Sequence, residues 1–369
     1  MIAASAAGEG SAMSSTDQVR DAFVERVFAS ALGTMDVFTV YLGDRLGLYR
    51  ILAEHGPLTA GELAERAGMY ARYAREWLEQ QAATAILEVD DAAKPEQERR
   101  FSLPAGRAEA LIDPESPYAM AAVCRSLAAL GGVLPKLVDA YRTGEGVAAE
   151  GADAVEAQGD FNRPWLVGSF ATEYLPQVPD VHEKLEAGAR VADIACGVGW
   201  AAISIARGYP ATTVDGFDLD EPAIALARAN ALDAGVADRV TFQARDAADP
   251  SLSGQYDLAV IVEAVHDMSR PVDVLASVRR LLAPGGTLIV ADERVADAFH
   301  APASETERLF YGYSVLDCLP TGMVSKPSAE TGTVMRRSTL ERYAATAEFS
   351  AVSVLPIEHD FLRFYRLDP

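Results

Sequence analysis

The sequence predicts an α/β protein: a doubly wound, mostly parallel sheet with an α-rich N-terminal domain ahead of it. Three observations carry this. From Ala189 onward, short β-branched runs alternate with amphipathic runs at helical spacing. The first of these strands opens directly into a glycine-rich turn, VADIACGVGWAA. Before Ala189, helical periodicity dominates. At 369 residues the chain is long enough for about two domains.

Taken in order, residues 1–15 (MIAASAAGEGSAMSS) are small and polar, without the basic start and apolar stretch of a signal peptide, and read as a disordered tail. Residues 16–112 form the first domain. Apolar residues recur at helical spacing (Phe23, Val27, Phe28, Leu32, then Val40, Leu42, Leu46), which fits two helices ending at Gly56-Pro57. In LTAGELAERAG, Thr59 as N-cap and Glu62 three residues later make a capping box, and a helix from Ala71 to Leu87 follows. Two strand-like pieces, Ile86 to Val89 and Arg100 to Leu103, flank a polar loop, so a wing is added to a helix-turn-helix.

Residues 113–184 read as a helical linker or lid, with helices over Pro117 to Arg142 and Asn162 to Leu185 and a polar connector from Gly144 to Gly159. Residues 185–369 form the core. Its strands begin at RVADIAC, TTVDGFDL, RVTFQA, YDLAVIV and TLIVADE, and the chain closes with a helix and two strand-like segments that suit an antiparallel edge.

Composition narrows the function. The net charge of −22 opposes binding to a polyphosphate, and between Asp44 and Ser102 eight basic side chains face eleven acidic ones, a poor groove reader. No nucleic-acid partner is expected. Half the residues are hydrophobic, but no uninterrupted apolar stretch approaches a membrane span, so no membrane partner is expected either. Cys124, Cys196 and Cys318 are far apart, without CxxC or zinc-type spacing, which argues for a cytoplasmic protein with no structural metal.

The turn after the first core strand sets backbone N–H groups and a helix N-terminus at the carboxyl edge of the sheet, a site for a nucleoside-bearing cofactor. From Gly197, G-V-G-W-A-A also satisfies the dinucleotide form G-x-G-x-x-A, with Asp218 as ribose acceptor, so NAD and S-adenosylmethionine both stand. Asp193 favours the second: a carboxylate before the glycines suits a cationic methionine end.

The pattern Asp193-x-Ala195-x-Gly197-x-Gly199 resembles motif I of the class I S-adenosylmethionine-dependent methyltransferases, a Rossmann-like fold, except that Ala195 stands where that family has Gly. The resemblance runs in register from Ala189 to Val295. It implies that Asp218 takes the ribose hydroxyls, that Asp246 and Ala247 hold the adenine, and that Glu263 lies near the amino-acid end of the cofactor. Asp246 also reads as a turn aspartate, and Glu263 as a strand-end polar group.

DLAVIVEAVHDM resembles the strand-then-His-Asp segment of plant-type small-molecule O-methyltransferases, with His266 nine residues after Asp257. This resemblance implies that His266 takes the proton of an acceptor hydroxyl, that Asp292-Glu293 fall near the acid that orients it, with Glu293 the choice, that the winged-helix domain forms a homodimer, and that a helical lid covers the core. It departs from the pattern at Met268, where the family has Trp; Glu330 lies where a second acid is expected. The chemistry fits, because a neutral imidazole can deprotonate a phenol or enol near neutral pH. His266 has a second reading as a helix cap. The apolar set Leu309, Phe310, Tyr311, Tyr313, Leu316 and Met323, together with Trp165 and Phe170, lines either an acceptor pocket for an aromatic or polyketide-like molecule or a seam between lid and core. Three other functions stay open: an NAD-dependent oxidoreductase, N- or C-methylation without a base, and a metabolite-sensing regulator.

Overall fold

The computed structural model describes residues 14–148 and 152–369; of the expected tail, residues 1–15, residues 1–13 lie outside them, while Ser14 and Ser15 are instead the cap and first residue of a helix. The chain forms two compact units, split between Asp113 and Pro114.

The first unit begins with α1 (Ser15–Arg45), capped by the Ser14 hydroxyl, which accepts from the Asp17 N–H. Helix α2 (Leu48–His55) follows, then α3 (Ala60–Ala67) and α4 (Ala71–Ala83). The capping box is present: the Thr59 N–H donates to Glu62 Oε2 at 2.8 Å, and the Glu62 N–H donates to the Thr59 hydroxyl at 3.3 Å. Strands β1 (Glu88–Val89) and β2 (Phe101–Ser102) pair antiparallel as the wing, and α5 (Ala105–Ile112) closes the unit. Helix α4 stops at Ala83, four residues short of the expected Leu87. Ala85 turns to a left-handed φ of 57°, and the Ile86 and Leu87 N–H groups both fold back onto the Gln81 carbonyl, which aims the chain into the wing. Leu48, Tyr49, Leu52, Leu63 and Leu78 make the core of this unit.

The second unit opens with α6 (Ala121–Thr143) and α7 (Ala152–Trp165). The polar connector is therefore shorter than expected, since α7 starts within it. By length and hydropathy α6 meets the requirement for a membrane span, which a search for uninterrupted apolar runs passes over because Arg125 and Lys136 lie within it. In this fold it buries Cys124, Leu130, Val133 and Leu137. A π-helix over Leu166–Tyr174 and then α8 (Pro179–Glu186) lead into the sheet.

The sheet is built from β3 (Arg190–Ile194), β4 (Thr213–Asp218), β5 (Val240–Ala244), β6 (Tyr256–Val262) and β7 (Leu282–Glu293), with α9 (Trp200–Gly208), α10 (Glu221–Asp233) and α11 (Pro271–Leu281) as crossovers. After β7 come α12 (Glu305–Tyr313), a π-helical turn over Ser314–Cys318, α13 (Leu319–Gly322), α14 (Arg337–Thr346), β8 (Ala351–Val354) and β9 (Leu362–Asp368). The strand order is β5-β4-β3-β6-β7-β9-β8, parallel except for β9, which runs antiparallel to both its neighbours. The expected α/β class and its antiparallel edge are thus borne out. A strand buried on both faces, such as Leu258–Ile261, is a continuous apolar run for that reason, and Val191–Ile194 is broken only by the buried Asp193. The order reverses beside β3, so the carboxyl ends of β3, β4 and β6 open onto one crevice.

Candidate active site

The glycine-rich turn sits at that crevice. Ala195 takes φ 55°, Gly197 51° and Gly199 87°, three left-handed residues in five. Such a conformation costs an alanine about 1 kcal/mol, which explains why glycine is the residue expected at position 195. At Gly199 a Cβ would meet the Phe242 ring at 2.5 Å, so the turn packs on β5 through this glycine. At Gly197 a Cβ would meet nothing within 4 Å, which leaves open space against the backbone there.

Two carboxylates shape the turn. Asp218, at the end of β4, accepts from the Gly197 N–H at 2.8 Å and from the Asp220 N–H at 2.9 Å. Asp193, only 1% exposed, accepts from the Ala202 N–H at 3.0 Å, in the first turn of α9. Its carboxylate therefore fixes the helix N-terminus, a use the sequence reading did not foresee. Burial, first, and then the Asp218 charge push Asp193 up to about 7, against the Ala202 N–H that lowers it. Burial likewise raises Asp218. Neither makes a salt bridge among the described residues. Two acids without a cationic side-chain partner, beside open backbone space at the turn, fit a ligand that carries positive charge, and the helix N-terminus is already bonded to Asp193.

At the end of β5, Asp246 accepts from the Ala248 N–H at 2.8 Å and pairs with Arg270 at 2.5 Å, so its turn-aspartate reading describes its present contacts. Ala247 beside it is buried. Glu263, just past β6, holds φ 48°, donates its N–H to the Ala291 carbonyl at 2.7 Å, and accepts from Asn162 Nδ2 at 2.9 Å. Burial drives its carboxyl up to about 7. Asn162 comes from α7 and was missed in the sequence, where nothing marks it.

Three residues on, His266 is 2% exposed. Its Nδ1 lies 2.9 Å from Asp292 Oδ1 and 2.9 Å from Glu293 Oε2, both at the end of β7. Of the pair Asp292-Glu293 expected near the orienting acid, with Glu293 preferred, the hydrogen bond goes to Asp292. Burial by itself lowers the imidazole pKa, but Glu293, Asp267 and Asp292 together outweigh it and hold it well above 6.5. Asp292 is kept below the usual carboxylate range: burial would raise it, but the charge and N–H of His266 prevail. Burial and then the Asp292 charge raise Glu293 well above 4.5 despite His266.

Other expectations fare differently. Glu330 is not brought to the imidazole: its half-exposed side chain lies 3.8 Å from Lys326. Trp165 and Phe170 pack edge to face at 5.7 Å, and Trp165 also meets His359, just before β9, and Phe364 of β9 edge to face, which makes them a seam with the sheet. Tyr313 instead meets Phe161 of α7 at 6.1 Å.

Residues 185–331 match the model of a methyltransferase domain family, and residues 34–112 match that of the Rv2258c-like winged HTH domain. The second unit thus contains a stretch that matches a methyltransferase domain, and the first a stretch that matches a winged helix-turn-helix domain. The chain is 35% identical over 109 residues to 27-O-demethylrifamycin SV methyltransferase of Amycolatopsis mediterranei and 34% identical over 126 residues to methyltransferase GfsG of Streptomyces halstedii; these regions cover 29% and 34% of this chain. It spans about two fifths of the length of each, 40% and 44%. Among solved structures, mitomycin 7-O-methyltransferase MmcR aligns with TM-score 0.68 at 22% identity, covering 95% of this chain and 99% of that one. Human N-acetylserotonin methyltransferase, solved with SAM, aligns with TM-score 0.67 at 17% identity, covering 97% and 99%. Both likenesses show the two-part fold.

Proposed function

We propose that this chain is an S-adenosylmethionine-dependent methyltransferase acting on an oxygen of a small aromatic or polyketide-like acceptor, with His266 as general base. The observation that carries the reading is the imidazole at the carboxyl edge of the sheet, its Nδ1 held by Asp292 at 2.9 Å, in the same crevice as the glycine-rich turn. With Nδ1 committed, Nε2 is the nitrogen left to take a proton. The names of the relatives, which include a rifamycin, a mitomycin and a ubiquinone-biosynthesis O-methyltransferase, support oxygen as the acceptor atom.

Asp218, Gly197, Ala195 and Gly199 would hold the nucleoside, Asp246 and Ala247 the adenine, and Asp193 and Glu263 would supply negative charge toward the methionine end. S-adenosylmethionine supplies an already activated methyl group. The chain's own work is to align the acceptor, exclude water and remove one proton. His266 takes that proton at Nε2, and ionised Asp292 stabilises the imidazolium so formed.

The N-terminal unit is read as a dimerisation module. Helix α1 exposes Phe23, Val27, Phe28, Leu32 and Met35, each at least half accessible, a row that a second copy of the chain would cover. Four arginines of this unit's helix-turn-helix and wing are paired, Arg72 with Glu76, Arg75 with Glu96, Arg99 with Glu79 and Arg100 with Glu62, which speaks against their use on a phosphate backbone. Three free thiols go with a reducing, cytoplasmic setting.

The test is side-by-side calorimetric titration with S-adenosylmethionine, S-adenosylhomocysteine and NAD, followed by a mass-spectrometric screen of phenols and polyketides. Micromolar binding of the adenosyl pair alone is expected. Binding of NAD alone overturns the reading.

A further inference from the structure

The fold brings a third donor to His266 that neither the spacing of the cysteines nor the methyltransferase reading calls for. Cys318 ends the π-helical turn after α12, and its Sγ, His266 Nε2 and a carboxylate oxygen of Asp267 all lie within 4.8 Å of one another. His266 Nε2 is 3.4 Å from Asp267 Oδ1. That oxygen is buried, and no hydrogen bond of good geometry reaches it.

We propose that His266, Asp267 and Cys318 form a binding site for a borderline divalent transition metal, with Zn2+ as the fitting ion. The donor chemistry is one nitrogen, one oxygen and one sulfur, a set that suits zinc and not magnesium or calcium. The spacing agrees, because bonds of about 2.0–2.1 Å to nitrogen and oxygen at tetrahedral angles put those two atoms about 3.3 Å apart. The outer contacts agree as well: Asp292 accepts from Nδ1, which directs the Nε2 lone pair toward the ion and is the carboxylate–histidine arrangement common behind zinc ligands. Three protein donors leave the fourth position of a tetrahedron open.

Binding displaces the thiol proton of Cys318 and any proton on His266 Nε2 to solvent, with no change in oxidation state. The affinity stands on the donor set alone. Its consequence for turnover rests on the reading of His266 as the base: the ion occupies the lone pair that would take the acceptor proton, so the metal-loaded protein is blocked until a chelator removes the ion.

The experiment uses the full chain, stripped with chelator and titrated with Co2+ and, in competition, with Zn2+. One equivalent of Co2+ is expected to bring up a thiolate-to-cobalt charge-transfer band, and C318S is expected to abolish it and weaken Zn2+ binding at least tenfold. A C318S protein that keeps the band overturns the site. As a check that needs no variant, the X-ray absorption of zinc-loaded wild-type protein is expected to show one sulfur in the first shell; a shell of nitrogen and oxygen alone overturns it. S-adenosylmethionine affinity is measured on the same preparation. A chain that binds zinc through Cys318 and ignores the adenosyl ligands keeps the metal site and loses the methyltransferase reading.

Discussion

The imidazole of His266 and the carboxylate of Asp292 are 26 residues apart in the chain and 2.9 Å apart in space, both about 2% exposed, because one follows β6 and the other ends β7, its parallel neighbour. Sheet register, and not local sequence, sets this pair. If His266 is the base, H266A is expected to lower kcat by about a hundred- to ten-thousandfold while leaving the Kd for S-adenosylmethionine within about twofold. Stopped assays on the identified acceptor, with titration of the cofactor in parallel, check this; undiminished kcat removes His266 from the mechanism.

The same pair predicts a pH dependence. Because the carboxyls raise His266 well above 6.5, the neutral base form accumulates only on the alkaline side, and kcat is expected to climb as pH rises above neutral. D292N removes the ionised partner, so the imidazole loses its proton at lower pH and the rising limb moves toward acid. A limb that stays in place in D292N assigns it to another group.

Glu263 bears on stability. Its carboxyl sits at about 7 in the fold against 4.5 for the free group, so the folded chain holds this proton more tightly than the unfolded one. The contribution is fully present below about pH 4.5 and is lost as pH rises through 7. E263Q keeps an acceptor for Asn162 without the charge, and above pH 7 it is expected to be more stable than wild type by on the order of 1–3 kcal/mol. Denaturant titrations at pH 5 and 8 test it: the gain belongs to pH 8.

At Asp218, replacement by Ala removes the acceptor of the Gly197 N–H and is expected to weaken adenosyl-ligand binding by about ten- to a hundredfold, the worth of a charge-assisted hydrogen bond. Calorimetry on D218A decides the point, and unchanged affinity moves the nucleoside elsewhere. In the same turn, A195G relieves a left-handed alanine at φ 55° and is expected to raise the unfolding free energy by about 0.5–1 kcal/mol.

For the N-terminal unit, F28E combined with L32E places two charges in the exposed row of α1 and is expected to turn a dimer into a monomer by light scattering, with little loss of thermal stability. A wild-type monomer at micromolar concentration sinks the dimer.

The parts of this molecule readable from sequence are those governed by a period or by backbone geometry. Alternating strands and helices gave away the sheet, and Asp193, Gly197, Gly199 and Asp218 declared themselves because the turn needs those residue types at fixed offsets. The partners of the imidazole were half visible: Asp292 and Glu293 stand together in TLIVADE, and only the strand register decides which one bonds Nδ1. Asn162 left no trace, and Cys318 showed no metal-type spacing, since each arrives from a helical segment outside the motifs, and the π-helical turn that ends at Cys318 has no simple period to read. Helix α4 was read too long because an alanine at left-handed φ is not a signal that residue identity carries.

Glycine at position 159 of α7 has a larger consequence than its size suggests. A side chain there would overlap Val198, so the helix rests directly on the glycine-rich turn, while one turn further along Asn162 grips Glu263 on the other side of the crevice. A single rod therefore spans two strand ends. Any displacement of α7 as a rigid helix would therefore disturb the turn contact and the Asn162 hydrogen bond together.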